Sequence, residues 1–285
     1  MRRWWTKRSQ PLVTMLLLTP GFFVFFGLFF YPFVTTVLLS LRPEGEKTGW
    51  TLQHYITFVS EPHYRQVVAL TFTLAIATTL LSVLLSVPLS LILRRKLRGH
   101  RFFRTMILVP LVVPGMIAAL GLLLIYGNRG WFNLFVRDVL PFIHGPLRIN
   151  YTVQGLILFY VWLYFPYTCL TTLGALEGLD PGIEEAAEVS GANRWKVLRH
   201  IVLPLIMPGV LSGSVLTFMA SFGAFSIPLI AGGNFRPLAV EVYKQIEIFI
   251  PGRWSMGSAM AVMMGLMQVL FLSVYMRFFR TERIH

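Results

Sequence analysis

Between successive Asp, Glu, Lys and Arg residues the chain leaves six gaps long enough to hold a membrane helix. They run from Arg8 to Arg42, Arg65 to Arg94, Arg104 to Arg129, Arg148 to Glu177, Arg199 to Arg236 and Arg253 to Arg277. A spanning helix needs about 20 mostly apolar residues. In lipid the backbone must satisfy its own hydrogen bonds, so only helices and closed barrels cross. Barrel strands alternate apolar and polar residues, and these runs do not. The expectation is an all-α membrane protein. Its six transmembrane helices fall at about 12–34, 67–93, 105–126, 151–174, 201–230 and 255–276, in a single transmembrane domain over 1–285. Charged residues make up 13% of the chain, about half the share of a soluble domain, so lipid is the solvent for most of it. The net charge of +13 would suit nucleic acid in a soluble protein. Apolar runs of this length exclude that partner.

An even number of spans puts both termini on one face. If that face is the cytoplasm, the inner segments hold 16 of the 25 Lys and Arg residues and the outer loops hold 9. The segment RRKLRGHRFFR (94–104) dominates the bias. Cytoplasmic loops carry the basic excess, so both termini are expected inside. Trp4, Trp5, Trp50, Trp131 and Trp254 fall near expected span ends, as interfacial anchors do. The first apolar run is too long for the core of a secretory signal and reads as an uncleaved span. The single cysteine, Cys169, excludes an internal disulfide. Pro32, Pro88, Pro110, Pro114, Pro166 and Pro228 lie within or at the ends of spans, where each permits a bend.

The loop between spans four and five stands apart. It reads EEAAEVSGANRWKVLRHIVLPLIMP over 184–208. Asp180 suits an N-cap, Pro181 the first helical position, and Glu184 and Glu185 complement the positive helix end. Ile183, Ala186, Ala187 and Ser190 fall at helical spacing on one smooth face. Gly191 suits a left-handed stop. Asn193 suits the cap of a second helix, with Trp195, Leu198 and Val202 on one stripe and Lys196, Arg199 and His200 on another. By these features the segment is a helix, a turn and a helix running into span five. It serves either as a solvated hairpin or as a docking surface.

Glu185-Ala186-Ala187, three residues, Gly191, nine residues, then Ile201-Val202-Leu203-Pro204 resembles the EAA signature of permease subunits of bacterial binding-protein-dependent ABC importers. Every fixed position matches, and so does the six-span layout. The resemblance implies a type I importer bundle in the bacterial inner membrane. Its cytoplasmic coupling helix would dock on an ATPase through Glu184, Glu185, Ala186, Ala187, Glu188, Gly191 and Ala192. Trp195, Arg199, Leu203 and Pro204 would support it. The implied partners are two ATPase subunits, a second permease (homologous or identical) and a periplasmic or lipid-anchored substrate-binding protein. The chain has no G-x-x-x-x-G-K-[ST] loop. It is therefore expected to be a transport subunit rather than an enzyme, with ATP and Mg on the partner ATPase and no cofactor of its own. ASFGAFSIPLIAGG and LAVEVYKQI are similar to the spermidine/putrescine subgroup, which makes a polyamine the first expectation for the solute. Permeases for ferric iron, 2-aminoethylphosphonate, thiamine and sugars remain alternatives.

No Asp, Glu, Lys or Arg lies within a span. Ion-coupled carriers place such residues in the membrane, and a membrane enzyme needs a polar catalytic cluster there, so both readings are disfavoured. Tyr160, Tyr164 and Tyr167 share one face of span four, and Ser214, Thr217, Ser221 and Phe222 lie on span five. They suit helix packing first, and after it a translocation path, in which tyrosine faces attract an organic cation. The segment 222–233 reads as a flexible, glycine-bracketed outer gate. No histidine pair has metal-ligand spacing.

Overall fold

The computed structural model describes residues 10–44, 49–94, 99–139, 145–247 and 254–281. The basic N-terminus with Trp4 and Trp5, the centre of the 94–104 segment and the last four residues lie outside the described residues. Every regular element among the described residues is helical. In chain order these are α1 (Gln10–Val24), a π turn (Phe25–Phe30), α2 (Tyr31–Ser40), α3 (Gln53–Ser60), α4 (Pro62–Arg94), α5 (His100–Val112) and α6 (Gly115–Ile125). Then come α7 (Trp131–Val139), α8 (Val153–Glu177), α9 (Pro181–Val189), α10 (Arg194–Val197), a second π turn (Leu198–Val202) and α11 (Leu203–Phe222). The last are α12 (Ser226–Ala231), α13 (Leu238–Glu247) and α14 (Trp254–Thr281).

Among the described residues five continuous helical stretches are long and apolar enough to cross a membrane: Thr14–Ser40, Pro62–Arg94, Val153–Glu177, Arg194–Phe222 and Trp254–Arg277. The third expected span, 105–126, is not one rod. Arg101–Val112 and Gly115–Ile125 meet at 108°. The cause is local. Pro114 has no N–H and disfavours helical backbone in the residue before it. Val113 is accordingly extended, at φ −76° and ψ 124°, and Pro114 follows at ψ 132°. The fifth span also differs from its expected bounds. It begins at Arg194 and ends at Phe222, and the short α12 is a separate helix.

The chain forms two compact units, one of residues 1–61 and 242–267, the other of residues 62–241 and 268–285. In the first, the side chains of Thr14 through Tyr31 are exposed, a surface suited to lipid. The connection after α2 is closed by polar contacts. Ser40 Oγ pairs with Tyr55 Oη at 2.6 Å, the His54 ring N–H donates to the Arg42 carbonyl at 2.9 Å, and Thr51 N–H donates to the Leu41 carbonyl at 2.7 Å.

In the second unit α4, α8 and α11 form the centre. Lipid removes the hydrophobic drive between helices, so close backbone approach and hydrogen bonds must hold them. The sequence supplies both. Thr71, Ala75, Thr78, Ser82, Ser86 and Ser90 make a fully buried small-residue stripe on α4. Ser90 Oγ donates to the Cys169 carbonyl at 3.1 Å and Ser86 Oγ to the Phe165 carbonyl at 3.3 Å, stitching α4 to α8. On α11, Gly209 and Gly213 face α8. A β-carbon at Gly209 would sit 2.5 Å from Ala175 Cβ, and one at Gly213 would sit 2.6 Å from Thr168 Cα. Thr168 and Thr217 pair their hydroxyls at 2.8 Å across the same contact. Phe218 stacks on Phe271 at 3.6 Å and Ser214 pairs with Tyr275 at 2.7 Å, fixing the end of α14 to α11.

A second core in this unit joins Leu74, Leu122, Phe159, Tyr160, Ile227 and Ala231. The chain after α6 is held by Asn133, whose amide nitrogen reaches the carbonyls of Tyr126, Gly127 and Leu147. Its oxygen accepts from Leu147 N–H at 2.7 Å. Asn133 is buried, and each of these backbone groups would be costly to leave unpaired.

Candidate functional site: the 177–204 loop and the cavity at the broken span

The loop folds as its capping residues dictate. Asp180 Oδ1 accepts from Gly182 N–H at 2.9 Å and starts α9, with Pro181 at its first position. At the other end Gly191 takes φ +88°. Its N–H donates to the Glu188 carbonyl at 3.0 Å, and Ala192 N–H donates to the Ala187 carbonyl at 3.1 Å. These are the two bonds of a Schellman stop, which needs a left-handed residue between them. Asn193 Oδ1 then accepts from Lys196 N–H at 2.8 Å and starts α10.

The two faces of α9 separate cleanly. Ala187 and Ala192 turn inward, against a core of Leu176, Val197, Val202, Ile206 and Val210. Glu185, Ala186 and Val189 point out, Val189 at 89% exposure. Ala187 thus does not share an outward face with Ala186, because the left-handed stop folds α10 back beneath it. Val189 takes the outward position. Trp195 is 65% exposed although Val202 of the same stripe is buried, and Val197 is buried beside it. Arg199 is exposed, and Leu203 and Pro204 open α11.

Five of the twelve acidic residues lie between 177 and 188, and four of them are occupied within the chain. Glu177 receives both terminal nitrogens of Arg104, at 2.7 and 3.3 Å. Asp180 caps α9. Glu184 pairs with Arg94 at the end of α4, and Glu188 lies 3.8 Å from Arg194. Glu185 has no hydrogen-bond or ion-pair partner among the described residues. Behind α9 lies an open cleft of about 560 Å³, floored by Leu91, Val197 and Val202 and rimmed by Arg94, Glu184 and Arg194.

The second place of interest is the break between α5 and α6. A cavity of about 340 Å³ is lined there by Pro110, Val113, Gly115, Tyr164, Tyr167 and Ser226, among others, none of them charged. Gly115 lies against α12, and a β-carbon on it would sit 3.0 Å from Ser226 Cβ. Of the seven candidate path residues, the structure brings two, Tyr164 and Tyr167, to this cavity. Tyr160 is fully buried in the core. Ser214, Thr217, Ser221 and Phe222 also face packing. Ser214 meets Tyr275, Thr217 meets Thr168, Ser221 bonds its own helix, and the Phe222 ring meets Phe72. The reason is the narrow crossing set by Gly209 and Gly213, which turns this side of α11 toward its neighbours. The segment 222–233 is not loose either, since Ala224, Ile227 and Ala231 are buried in the same core as Tyr160. Proline at 114, with an apolar run on each side, was the one signal in the sequence for the break.

A helical bundle of this span number, bearing a capped acidic hairpin ahead of its fifth span, defines a membrane transport subunit of the importer type. Residues 82–281 match the family described as binding-protein-dependent transport system inner membrane components. The chain belongs to that family and is the permease component of an ABC importer, not an enzyme. It is 29% identical to the spermidine/putrescine transport system permease protein PotB of Haemophilus influenzae, over 80% of this chain and 79% of that one. It is 32% identical to the molybdenum transport system permease protein ModB of Mycobacterium bovis, over 74% and 79%. Its fold matches a chain of a bacterial ABC transporter involved in importing the acidic polysaccharide alginate. The TM-score is 0.78 at 17% identity, covering 98% of this chain and 97% of that one. A related structure, with TM-score 0.74 at 17% identity and coverage of 94% and 93%, is the alginate transporter in complex with its alginate pentasaccharide-bound periplasmic protein. The protein is thus a multi-pass protein of the inner membrane.

Proposed function

We propose that the chain forms half of an ATP-driven import path and that α9 is its socket for a cytoplasmic ATPase subunit. The observation that carries this reading is the outward face of α9. Glu185 stands there without a partner among the described residues, beside Ala186 and Val189, while the neighbouring acids are used within the chain. A carboxylate ringed by small apolar side chains offers close approach and a charge-assisted bond to an arginine or lysine. The excess of Lys and Arg in the same set of segments supports a cytoplasmic side for α9 and both termini. ATP and Mg belong to the ATPase pair. A second permease subunit, identical or homologous, supplies the other half of the path, and a periplasmic or lipid-anchored binding protein delivers the solute.

For the solute we place a polyamine first. Its support is the similarity to the spermidine/putrescine permease and a cavity presenting two tyrosines and no charge, to which a cation is drawn by weak cation–π attraction. An oxyanion is the second reading. The molybdenum permease relative favours it, as does the start of α6 at the cavity, where no side chain caps the first N–H groups and the helix end carries positive partial charge. Uptake of labelled spermidine and of molybdate by the reconstituted importer separates the two.

The socket is tested by Glu185→Lys in the assembled importer. The expected result is loss of ATPase subunits on purification and at least a tenfold fall in uptake, with the permease still inserted in the membrane. A complex that purifies intact, with unchanged coupled ATPase activity, would show that α9 is not the socket.

A further inference from the structure

At the end of α8 opposite α9 the chain carries α7, a nine-residue helix that belongs to neither site above. At about 100° per residue, Trp131, Phe135, Val139, Phe132 and Val136 follow one another around it in one apolar arc. Asn133, Leu134, Arg137 and Asp138 fill the rest. The protein covers only one side of that arc. Val136 is buried, and the Phe132 ring packs on Tyr126 at 4.9 Å. Trp131, Phe135 and Val139 stand 85%, 65% and 54% exposed, at i, i+4 and i+8. An exposed apolar stripe marks contact with a membrane or a protein. The height of the helix decides between them. Asn133 reaches the carbonyls of Tyr126 and Gly127, directly beyond the last residue of α6. Asn150, three residues ahead of α8, donates to the Leu123 carbonyl in the last turn of α6 at 2.8 Å. α7 is thus pinned where two membrane helices end together. Ile117, Leu120 and Leu124 form an exposed apolar row along α6, so lipid reaches the very helix to which α7 is tied. Arg129, Arg137 and Arg148 are exposed in the same stretch, and guanidinium groups suit the phosphates of a membrane surface.

We propose that α7 is a membrane-surface helix, with Trp131, Phe135 and Val139 set among phospholipid acyl chains and Arg137 turned toward headgroups and water. An interfacial helix shows this division, with aromatic and aliphatic residues on one face and basic residues on the other. Its partner is the lipid surface and not a subunit. The arrangement meets a need of the broken span. α6 has 11 residues, about 16 Å at 1.5 Å per residue, roughly half of a hydrocarbon core about 30 Å thick. Its length cannot set its depth. α7, held to its end by Asn133, can. A stop at the membrane surface keeps Gly115, at the other end of α6, level with the cavity that Tyr164 and Tyr167 line.

The experiment uses the complete importer in phospholipid nanodiscs, with Cys169→Ala as background. A nitroxide label is placed through Phe135→Cys, Val139→Cys or Arg137→Cys, one at a time. Electron paramagnetic resonance reads how often each label meets oxygen, which concentrates in lipid, and a nickel chelate, which stays in water. The oxygen-to-chelate ratio at 135 and at 139 should exceed that at 137 at least threefold. Adding loaded binding protein should change neither by more than twofold. Two stripe positions keep the test decisive if one labelled variant fails to assemble. Equal ratios at the stripe and at 137 would mean that the stripe stands in water, and would overturn the proposal. Labels shielded from both reagents would overturn it too, since protein would then cover the stripe. That protein is the second permease if shielding is present from the start, and the binding protein if shielding appears only on its addition. Phe135→Asp, which cannot stay among acyl chains, should lower uptake at least threefold with ATPase recovery within twofold of the parent. Parent-like uptake would overturn the depth-setting role.

Discussion

Gly213→Leu is expected to remove the folded permease from the membrane. Gly213 sits where α11 crosses α8, and even a β-carbon would approach Thr168 Cα to 2.6 Å and press on the Thr171 hydroxyl. Thr168 offers backbone there, which has no rotamer to retreat into. Thr171 Oγ1 is committed to carbonyls of its own helix at 3.0 and 3.1 Å. A leucine adds three more carbons, so α8 and α11 must separate. Separation breaks the Thr168–Thr217 pair and the Thr217 bond to the Tyr164 carbonyl. Overpacking a tight site costs about 1–3 kcal/mol, and more where backbone must move. With the two lost hydrogen bonds at about 1 kcal/mol each, the total approaches about 5 kcal/mol, the low end of a domain's whole stability. The measurement is the amount of full-length protein in washed membranes and its thermal unfolding midpoint in detergent. Gly213→Ala should lower that midpoint by several degrees, and Gly213→Leu should leave too little protein to measure. Parent-like levels of the leucine variant would mean that the crossing is looser than the 2.6 Å approach implies.

Gly115→Leu should act on transport instead. Gly115 opens α6 at the break and faces Ser226, with a β-carbon position 3.0 Å from Ser226 Cβ and 3.2 Å from its hydroxyl. The serine side chain can turn aside, so one carbon is tolerated. The remaining carbons of leucine have two places to go, into the 340 Å³ cavity beside Tyr164 and Tyr167 or between α6 and α12. Either outcome fixes the wall in one arrangement. Uptake should fall at least tenfold, while ATPase subunits still co-purify and basal hydrolysis stays within twofold. Gly115→Ala should retain most uptake. Unimpaired uptake in the leucine variant would remove the cavity from the path.

The spans were legible because lipid imposes a coarse rule, an apolar run of sufficient length, that charge positions alone reveal. The α9–α10 hairpin was legible for the opposite reason. Asp180, Gly191 and Asn193 each act within a few residues of themselves, and all three make the bonds expected of them. What stayed hidden depended on partners distant in sequence. Proline marks a possible bend but not its size. Pro88, Pro166 and Pro208 lie inside helices that continue, while Pro114 stands where the chain turns through 108°. The tyrosines of span four divide: Tyr160 is buried in the core with Tyr164 packed at its edge, and Tyr164 and Tyr167 line the cavity. The difference is made by α6 and α12, whose Leu122, Ile227 and Ala231 share the core with Tyr160, while the break before α6 leaves the cavity beside Tyr164 and Tyr167. The helix α7 was readable in principle. Asn133 and Val136, three residues apart, are its buried positions.

The π turn at Leu198–Val202 fixes an angle. Helical stretch runs unbroken from Arg194 to Phe222, so α10 and the membrane-spanning α11 turn as one shaft. A π turn is the trace of one residue added to an α-helical ladder, and one residue corresponds to about 100° of rotation at 3.6 residues per turn. The compass bearing of α9 about the axis of α11, and with it the direction in which Glu185 points, is therefore set by chain length within five residues rather than by their identity. Along this shaft, substitutions alter grip, whereas an insertion or deletion alters heading.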